Sequence, residues 1–418
     1  MAAESSSATC RESKKTKQAS PIPLLTEDSP PLPDLPPEII AAVLSRLPVK
    51  SLLRLRCVCK SWRSLVSNPK FAKTHLSLAS VNTDYSNHRL ILSSSYPRTD
   101  VKSCSLYSIL NDKSDSAVEL DCPLKRPNLG VKIWGGCDGL VCIGNKREVC
   151  IWNPSTGKYK GLPDFEMAYI CYSWFGFGYD EGIDDYKVVG FFFDDRTGGF
   201  EPEVKVYTLR SDSWRRIQGS THLVPRGASA TFVNRALHWI HWTGYGAPSH
   251  IIVSLDLVKE TYGEVSTPEY RRGYFHHFSM GVLNGCLCML CDYYDDCFDV
   301  WVMKEYGIRD SWTKLVAIPY VSHPLNHPHD SSELCILENG EVLEDIGSPY
   351  SAPLCLLEDG EVLLDVATRL VRYNPKDGTF SYPMIHNCSP SFTAYPYTES
   401  LVSPDFDADS GVQWQHQY

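Results

Sequence analysis

The sequence predicts an α+β, multidomain protein: a small N-terminal helical module followed by an all-β, propeller-like region of about six blades. Three observations predict it. Apolar residues recur at helical spacing between Asp34 and about Leu78. From about Tyr85 onward, short β-branched and aromatic runs alternate with Gly, Asp, Asn and Pro turns. Within that second region a unit of roughly 50 residues repeats. A length of 418 residues fits more than one domain. The hydrophobic and charged fractions, 43% and 22%, are those of a globular chain.

In the first region Leu35, Ile39, Ile40, Val43, Leu44 and Leu47 form one stripe at steps of three and four. Asp34 can cap this helix, and Pro36 and Pro37 sit where a first turn tolerates proline. Leu47-Pro48 ends it, because the residue before a proline is pushed out of the α region. A second helix is expected from Val49 to about Val58, with Leu52, Leu53 and Leu55 apolar. A third is expected from Lys60 to Ser67, with Trp62, Leu65 and Val66. The Asn68-Pro69 turn then opens a last helical piece carrying Phe71, His75 and Leu76. So small a unit buries little surface alone and carries more large apolar side chains than it can hide. Either it packs on the rest of its own chain, or a partner completes its core.

The string LPPEIIAAVLSRLPVKSLLRLRCVCKSWRSLV resembles an F-box. The matching positions are Leu35-Pro36, the aliphatic pair Ile39-Ile40, Leu47-Pro48, Leu52 and Leu53, and Val58-Cys59-Lys60 with Trp62. The resemblance spans about 40 ordered residues. It implies docking on the SKP-family adaptor of an SCF ubiquitin ligase, and through it on a cullin and a RING subunit. The adaptor-binding residues it implies are Leu35, Pro36, Ile39, Ile40, Leu47, Pro48, Leu52, Leu53, Val58 and Trp62. Some of these must fill the module's own core, and spacing does not separate the two groups.

Charge is divided unevenly. Residues 34–80 carry +6, residues 1–33 balance, and the remainder carries −16 of the net −10. The overall sign argues against general nucleic-acid binding. A basic module on an acidic body helps to steer an acidic partner, which is what the F-box resemblance implies. Residues 1–33, rich in Ser, Pro, Lys and Glu, are expected to be a disordered tail, and 404–418 a second one. Lys14-Lys15-Thr16-Lys17 is a weak nuclear-import candidate and reads better as a solvated charge run. No apolar run approaches the roughly 20 residues that span a bilayer, and the N-terminus has no apolar signal core. A cytoplasmic and nuclear location is therefore expected, with the 16 cysteines mostly reduced.

The expected domains are the F-box at 34–80 and the propeller at 85–403. Five segments show the repeat most clearly: 151–163, 206–217, 254–265, 301–315 and 372–383. Each is a strand, a polar turn, then an aromatic residue opening a second short strand. The aromatic anchors are Tyr159, Trp214, Tyr262, Trp312 and Phe380, separated by 55, 48, 50 and 68 residues. The long last interval has a cause: LCILENGEVLEDI (334–346) nearly repeats as LCLLEDGEVLLDV (354–366) twenty positions later. One copy belongs in the regular fold, and the other is left to protrude as a hairpin or pair at a sheet edge. The six units are expected to begin near residues 88, 130, 173, 228, 277 and 333. A strand within Phe392–Val402 is expected to return to the first blade and close the ring.

The blocks WNPSTGKYKGLP, FGFGYDEGIDDYKVV, VYTLRSDSWRRI, LHWI and DVWVMKEYGIRDSWTKL resemble a plant F-box-associated, kelch-like region over roughly residues 85–385. It departs from strict kelch in showing a Gly-Gly doublet only at Gly135-Gly136. The order of blocks is similar to F-box/kelch-repeat members that restrain plant immunity by destroying disease-resistance receptors, and also to pollen S-locus F-box proteins. The resemblance implies a non-catalytic ligase subunit that grips a target protein for ubiquitination and degradation. The competing class is a stand-alone interaction scaffold.

The residues of chemical interest read as structure. There is no G-x-S-x-G elbow and no G-x-x-x-x-G-K-[ST] loop. FGFGYDEG lacks the spacing of a phosphate cradle. Cys286 and Cys288 alternate in an apolar strand and so share a face; with Cys291 and Cys297 they read as buried thiols. His323, His327 and His329 lie in a Pro-rich stretch, a poor scaffold for zinc. Asp292, Asp295, Asp296 and Asp299 lack calcium-loop spacing. His238 and His241 read as strand residues flanking the core tryptophans. No metal or cofactor is expected. Candidate target-gripping loops are 196–202, 244–249, 270–277 and 323–330.

Overall fold

A computed structural model of the chain describes residues 35–80, 85–94, 99–111, 115–126, 129–145, 148–165, 170–194, 202–219, 230–243, 250–271, 277–293, 297–319, 335–336, 342–343, 352–357, 360–366, 369–390 and 392–405. Outside them lie the expected tails except residues 404 and 405, the Lys14–Lys17 run, Asp295 and Asp296, His323, His327 and His329, and all but the edges of the four candidate loops.

Four helices come first: α1 (Pro37–Leu44), α2 (Val49–Leu55), α3 (Lys60–Val66) and α4 (Pro69–Ser80). Pro48 separates the first two, and Asn68-Pro69 the last two. The Asn68 side-chain oxygen accepts the Lys70 amide at 2.8 Å, supplying one of the partners that a helix start lacks. The expected second helix reaches Val58, but α2 ends at Leu55. The next residues tighten into three-residue steps instead, Cys57 N to Arg54 O at 3.0 Å and Val58 N to Leu55 O at 3.1 Å.

The rest is strand, in six four-stranded antiparallel sheets among the described residues. Blade 1 holds β1 (His88–Ser94), β2 (Asp100–Ser105) and, after the short helix α5 (Leu106–Leu110) and the separate β3 (Asp115–Ser116), β4 (Val118–Glu119). Blade 2 holds β5 (Lys132–Cys137), β6 (Leu140–Gly144), β7 (Val149–Trp152) and β8 (Tyr159–Gly161). Blade 3 holds β9 (Ile170–Asp180), β10 (Asp185–Asp194), β11 (Glu203–Thr208) and β12 (Ser213–Arg216). Blade 4 holds β13 (Thr231–Val233), β14 (Ala236–Trp242), β15 (His250–Asp256) and β16 (Thr261–Val265). Blade 5 holds β17 (His277–Leu283), β18 (Cys286–Asp292), β19 (Cys297–Met303) and β20 (Trp312–Pro319). The hairpin β21 (Cys335–Ile336) and β22 (Val342–Leu343) follows, and stands apart from the six sheets. Blade 6 holds β23 (Ala352–Leu356), β24 (Val362–Val366), β25 (Arg369–Asn374) and β26 (Thr379–Ser381). The chain ends with β27 (Ile385–His386), parallel to β3, and β28 (Thr393–Thr398), which pairs with β1 and completes blade 1.

The sheets form a ring. The strands β28, β5, β9, β13, β17 and β23 each lie beside the next, and β23 lies beside β28. Six apolar clusters fill the spaces between consecutive blades. Both faces of each sheet are therefore covered, and alternation shows as a choice of neighbour. In β18, Leu287, Met289 and Cys291 point toward blade 4, while Cys288 and Leu290 point toward blade 6. All five aromatic anchors open the outermost strand of their blade, opposite Trp152, Tyr207, Leu255, Met303 and Tyr373. Two of them also tie blades together: the Trp214 indole donates to the Pro163 carbonyl at 3.0 Å, and the Trp312 indole to Ser266 at 2.7 Å.

Tight turns join the first and second strands. Asp138-Gly139, Asn234-Arg235 and Asn284-Gly285 all have both residues at positive φ, the two-residue turn that suits a twisted hairpin. The sixth blade departs from expectation by starting at Ala352, not near 333. The second copy of the duplicated segment builds β23 and β24, and the first copy forms β21–β22.

Helix α4 meets the end of the propeller where those turns lie. Lys73 forms an ion pair with Asp184 in the β9–β10 turn and stands over the Tyr179 ring, 5.4 Å from its centre. Leu76 packs on the cluster between blades 2 and 3. Because the strands alternate in direction, the connections from second to third strand, and from one blade to the next, emerge at the opposite end.

Candidate functional site

The helical module fills its own core first. Leu44, Val49, Leu52, Val66, Phe71 and Ala72 are buried, and the α4 positions 71, 72, 75 and 79 form one inward stripe. His75 is buried among them, and its Nε2 donates to the Leu47 carbonyl at 2.8 Å. That carbonyl stands at the proline break, where Ser51 N bonds Pro48 O instead, so a side chain from α4 serves it. Arg46 and Ser45 both donate to the Ala42 carbonyl and close the end of α1.

With that core satisfied, large apolar side chains remain outside. Leu35, Ile39, Val43 and Val58 are 60%, 49%, 54% and 62% exposed. Within α1, Ile39 and Val43 are one turn apart, and only Leu44 of that helix is buried. Of the ten residues expected to touch a partner, Leu35, Pro36, Ile39, Pro48 and Val58 are exposed. Ile40, Leu47, Leu53 and Trp62 are half-buried. Leu52 is the correction: with no exposed surface it packs the module's core and offers nothing to a partner. Val43 was missing from the ten, and its signal was its place four residues after Ile39. In residues 46–63 Arg46, Lys50, Arg54, Lys60 and Arg63 are exposed and basic.

The end of the propeller away from α4 carries the longer connections. The described strand ends that flank the four candidate loops, 194 and 203, 242 and 250, 265 and 277, and 319 and 352, all open on it. The loops themselves fall largely outside the described residues.

The side chains weighed for chemistry are divided by the fold. Cys286 and Cys288 belong to the cluster between blades 5 and 6, Cys291 and Cys297 to that between blades 4 and 5. Burial pushes the Cys288 and Cys291 thiols well up. His238 lies in blade 4 with Nε2 2.6 Å from the Tyr306 hydroxyl, and burial lowers its pKa to about 4. Asp299 is buried and pairs with Lys314 at 2.5 Å. Among the described residues, no three of His, Cys, Asp and Glu are placed to share a metal ion. Among them, too, no helix is long and apolar enough to cross a membrane.

A helical module with exposed apolar side chains, followed in the chain by a six-bladed β-propeller, is the arrangement of an adaptor-type protein. Comparison with known proteins agrees. An F-box domain matches residues 32–74, and an F-box associated beta propeller domain matches residues 89–346. The chain belongs to the family of F-box proteins with an F-box-associated β-propeller. It is 30% identical over 384 residues to F-box/kelch-repeat protein At3g23880 of Arabidopsis thaliana, covering 89% of this chain and 96% of that one. It is 32% identical over 311 residues to F-box protein CPR1 of the same plant, covering 68% and 73%. A third Arabidopsis relative, F-box protein At4g22390, is 29% identical over 342 residues, covering 75% and 81%. Such a chain is a substrate adaptor in type, and an F-box implies binding of an SKP-type adaptor in general.

Proposed function

We propose that this protein is the substrate-recognition subunit of an SCF-type ubiquitin ligase acting in the cytoplasm and nucleus. The F-box docks an SKP-family adaptor, which brings the cullin and RING subunit. The propeller end opposite α4 grips a target protein. The subunit does no bond chemistry. It raises the local concentration of target lysines at the charged conjugating enzyme. The observation that carries this reading is the exposed set Leu35, Ile39, Val43 and Val58 on a module whose own core is already complete. Covering a side chain of that size is worth about 1.5–3 kcal/mol, so a partner that covers all four gains most of its binding there. The exposed basic residues Arg46, Lys50, Arg54, Lys60 and Arg63 of the module favour an acidic adaptor. The order of sequence blocks in the propeller favours a plant immune receptor as target.

The test is a tagged pull-down from plant cells under proteasome inhibition, comparing the intact chain with one lacking residues 34–78. Adaptor and cullin are expected with the intact chain alone, and targets with both. If neither form retains the adaptor, the ligase reading is wrong and a stand-alone scaffold takes its place.

A further inference from the structure

The two copies of the duplicated segment make the same hairpin. In the first copy Cys335 pairs with Leu343 and Ile336 with Val342. In blade 6 Cys355 pairs with Leu363 and Leu356 with Val362. Every pair is shifted by the same twenty positions, so the first copy has the register of the first two strands of blade 6.

The needs of that slot can be checked residue by residue. Gly360, at φ +92, turns the hairpin, and Gly340 stands twenty positions before it. Glu361 accepts from the Asn374 side chain at 2.8 Å and lies 3.7 Å from Arg372, and Glu341 is its counterpart. Asp365 accepts the Ala394 amide of β28 at 2.8 Å, and Asp345 is its counterpart. The buried Cys355, Val362 and Leu363 have Cys335, Val342 and Leu343 as theirs. One buried position differs in kind. Leu364 lies in the cluster between blades 5 and 6, and its counterpart is Glu344. A carboxylate placed there would lose its water among the apolar neighbours Val300, Val316 and Tyr373.

We infer that the two copies are rival donors for the first two strands of blade 6, and that Glu344 is the residue that excludes the first. The exchange is topologically simple. The connection before blade 6 and the β24–β25 connection both open at the end away from α4. Seating the first copy would move twenty residues from one to the other and leave the other five blades untouched. The loops displayed on that end would then differ while the ring stayed closed. The inference does not depend on what that end binds.

The test is hydrogen exchange on the full chain, read by mass spectrometry, because peptides from 334–346 and 354–366 differ in mass. In the native chain 354–366 is protected. The 334–346 peptide exchanges fast, since an isolated two-stranded hairpin is marginal. Leu364→Glu alone leaves neither copy acceptable, and the melting temperature falls. Glu344→Leu with Leu364→Glu restores it, and exchange in 342–344 slows by more than about a hundredfold as those amides enter the sheet. If the double variant melts as low as Leu364→Glu and 334–346 stays unprotected, the copies do not compete. If Leu364→Glu melts like the native chain, Glu344 excludes nothing. Either result overturns the inference.

Discussion

Helix α1 and strand β6 show two ways of being apolar. Of the eight residues of α1 only Leu44 is buried, although six are aliphatic. All five residues of β6 are buried, between blade 1 on one side and blade 3 on the other. The propeller finishes itself, because each sheet is the lid of its neighbour. The helical module buries Leu44, Val49, Leu52 and Val66 and leaves Leu35, Ile39, Val43 and Val58 exposed, the surface proposed to meet an adaptor. Apolar content alone does not tell a core from a docking face; what matters is whether the same chain supplies a second layer.

Four changes break or sharpen that comparison, from the largest effect to the smallest. Lys187 is buried between blades 3 and 4, with Asp180 and Glu260 at 2.6 and 2.7 Å and the Leu257 carbonyl at 2.7 Å. Lys187→Ala leaves the buried Asp180 without its cation, while Glu260 keeps Arg215, and is expected to cost about 3–5 kcal/mol in a denaturant melt. A cost below 1 kcal/mol would mean that the ring is not closed by its polar contacts as well as its apolar ones. Leu52→Ala opens a hole in the small helical core, at about 2–5 kcal/mol. That loss should appear as fast exchange across α2 to α4, with the propeller protected as before.

The third change concerns pH. Burial raises the pKa of Asp365 to about 7, while its ordinary value is 3.8. The folded chain therefore holds a proton that the unfolded chain releases. Asp365 supports the fold fully below about pH 4, and that support is lost as pH rises to about 7. Asp365→Asn keeps an acceptor for Ala394, so its melting temperature should exceed that of the native chain by most at pH 8 and by clearly less at pH 5. Equal differences at both values would show that the carboxyl titrates normally.

The smallest effect on stability is expected from Ile39→Ala with Val43→Ala. The pair should shift the melt by under about 0.5 kcal/mol each, yet reduce capture of the adaptor at least tenfold. Normal capture would place the docking surface elsewhere on the module.

Much of this architecture could be read before any coordinates. The anchors Tyr159, Trp214, Tyr262, Trp312 and Phe380 mark the outer strands, and all but the largely exposed Tyr159 pack a ring on an apolar cluster between blades. Cys286 and Cys288 were placed on one face by the period of a strand alone. The start of the sixth blade was misread by nineteen residues, since two near-identical hairpins satisfy the same local pattern and only the burial of Leu364 separates them. Leu52 and Ile39 were inseparable for a similar reason. Both are aliphatic at helical spacing, and which one faces inward depends on α3 and α4, which close the core from farther along the chain. The target-holding surface left the least trace, because loops carry no periodicity.

The closing strand also sets a timetable. Among the described strands β1 is the first to leave the ribosome, and its inner partner, Thr393–Thr398, is the last. Throughout synthesis the growing sheets keep two open edges, at β1 and at the newest blade, each a template for wrong pairing. A stop codon between residues 387 and 392 yields a chain with every sheet but one complete and no way to shut. Loss of the final thirty residues should therefore be as harmful to this protein as loss of a whole blade.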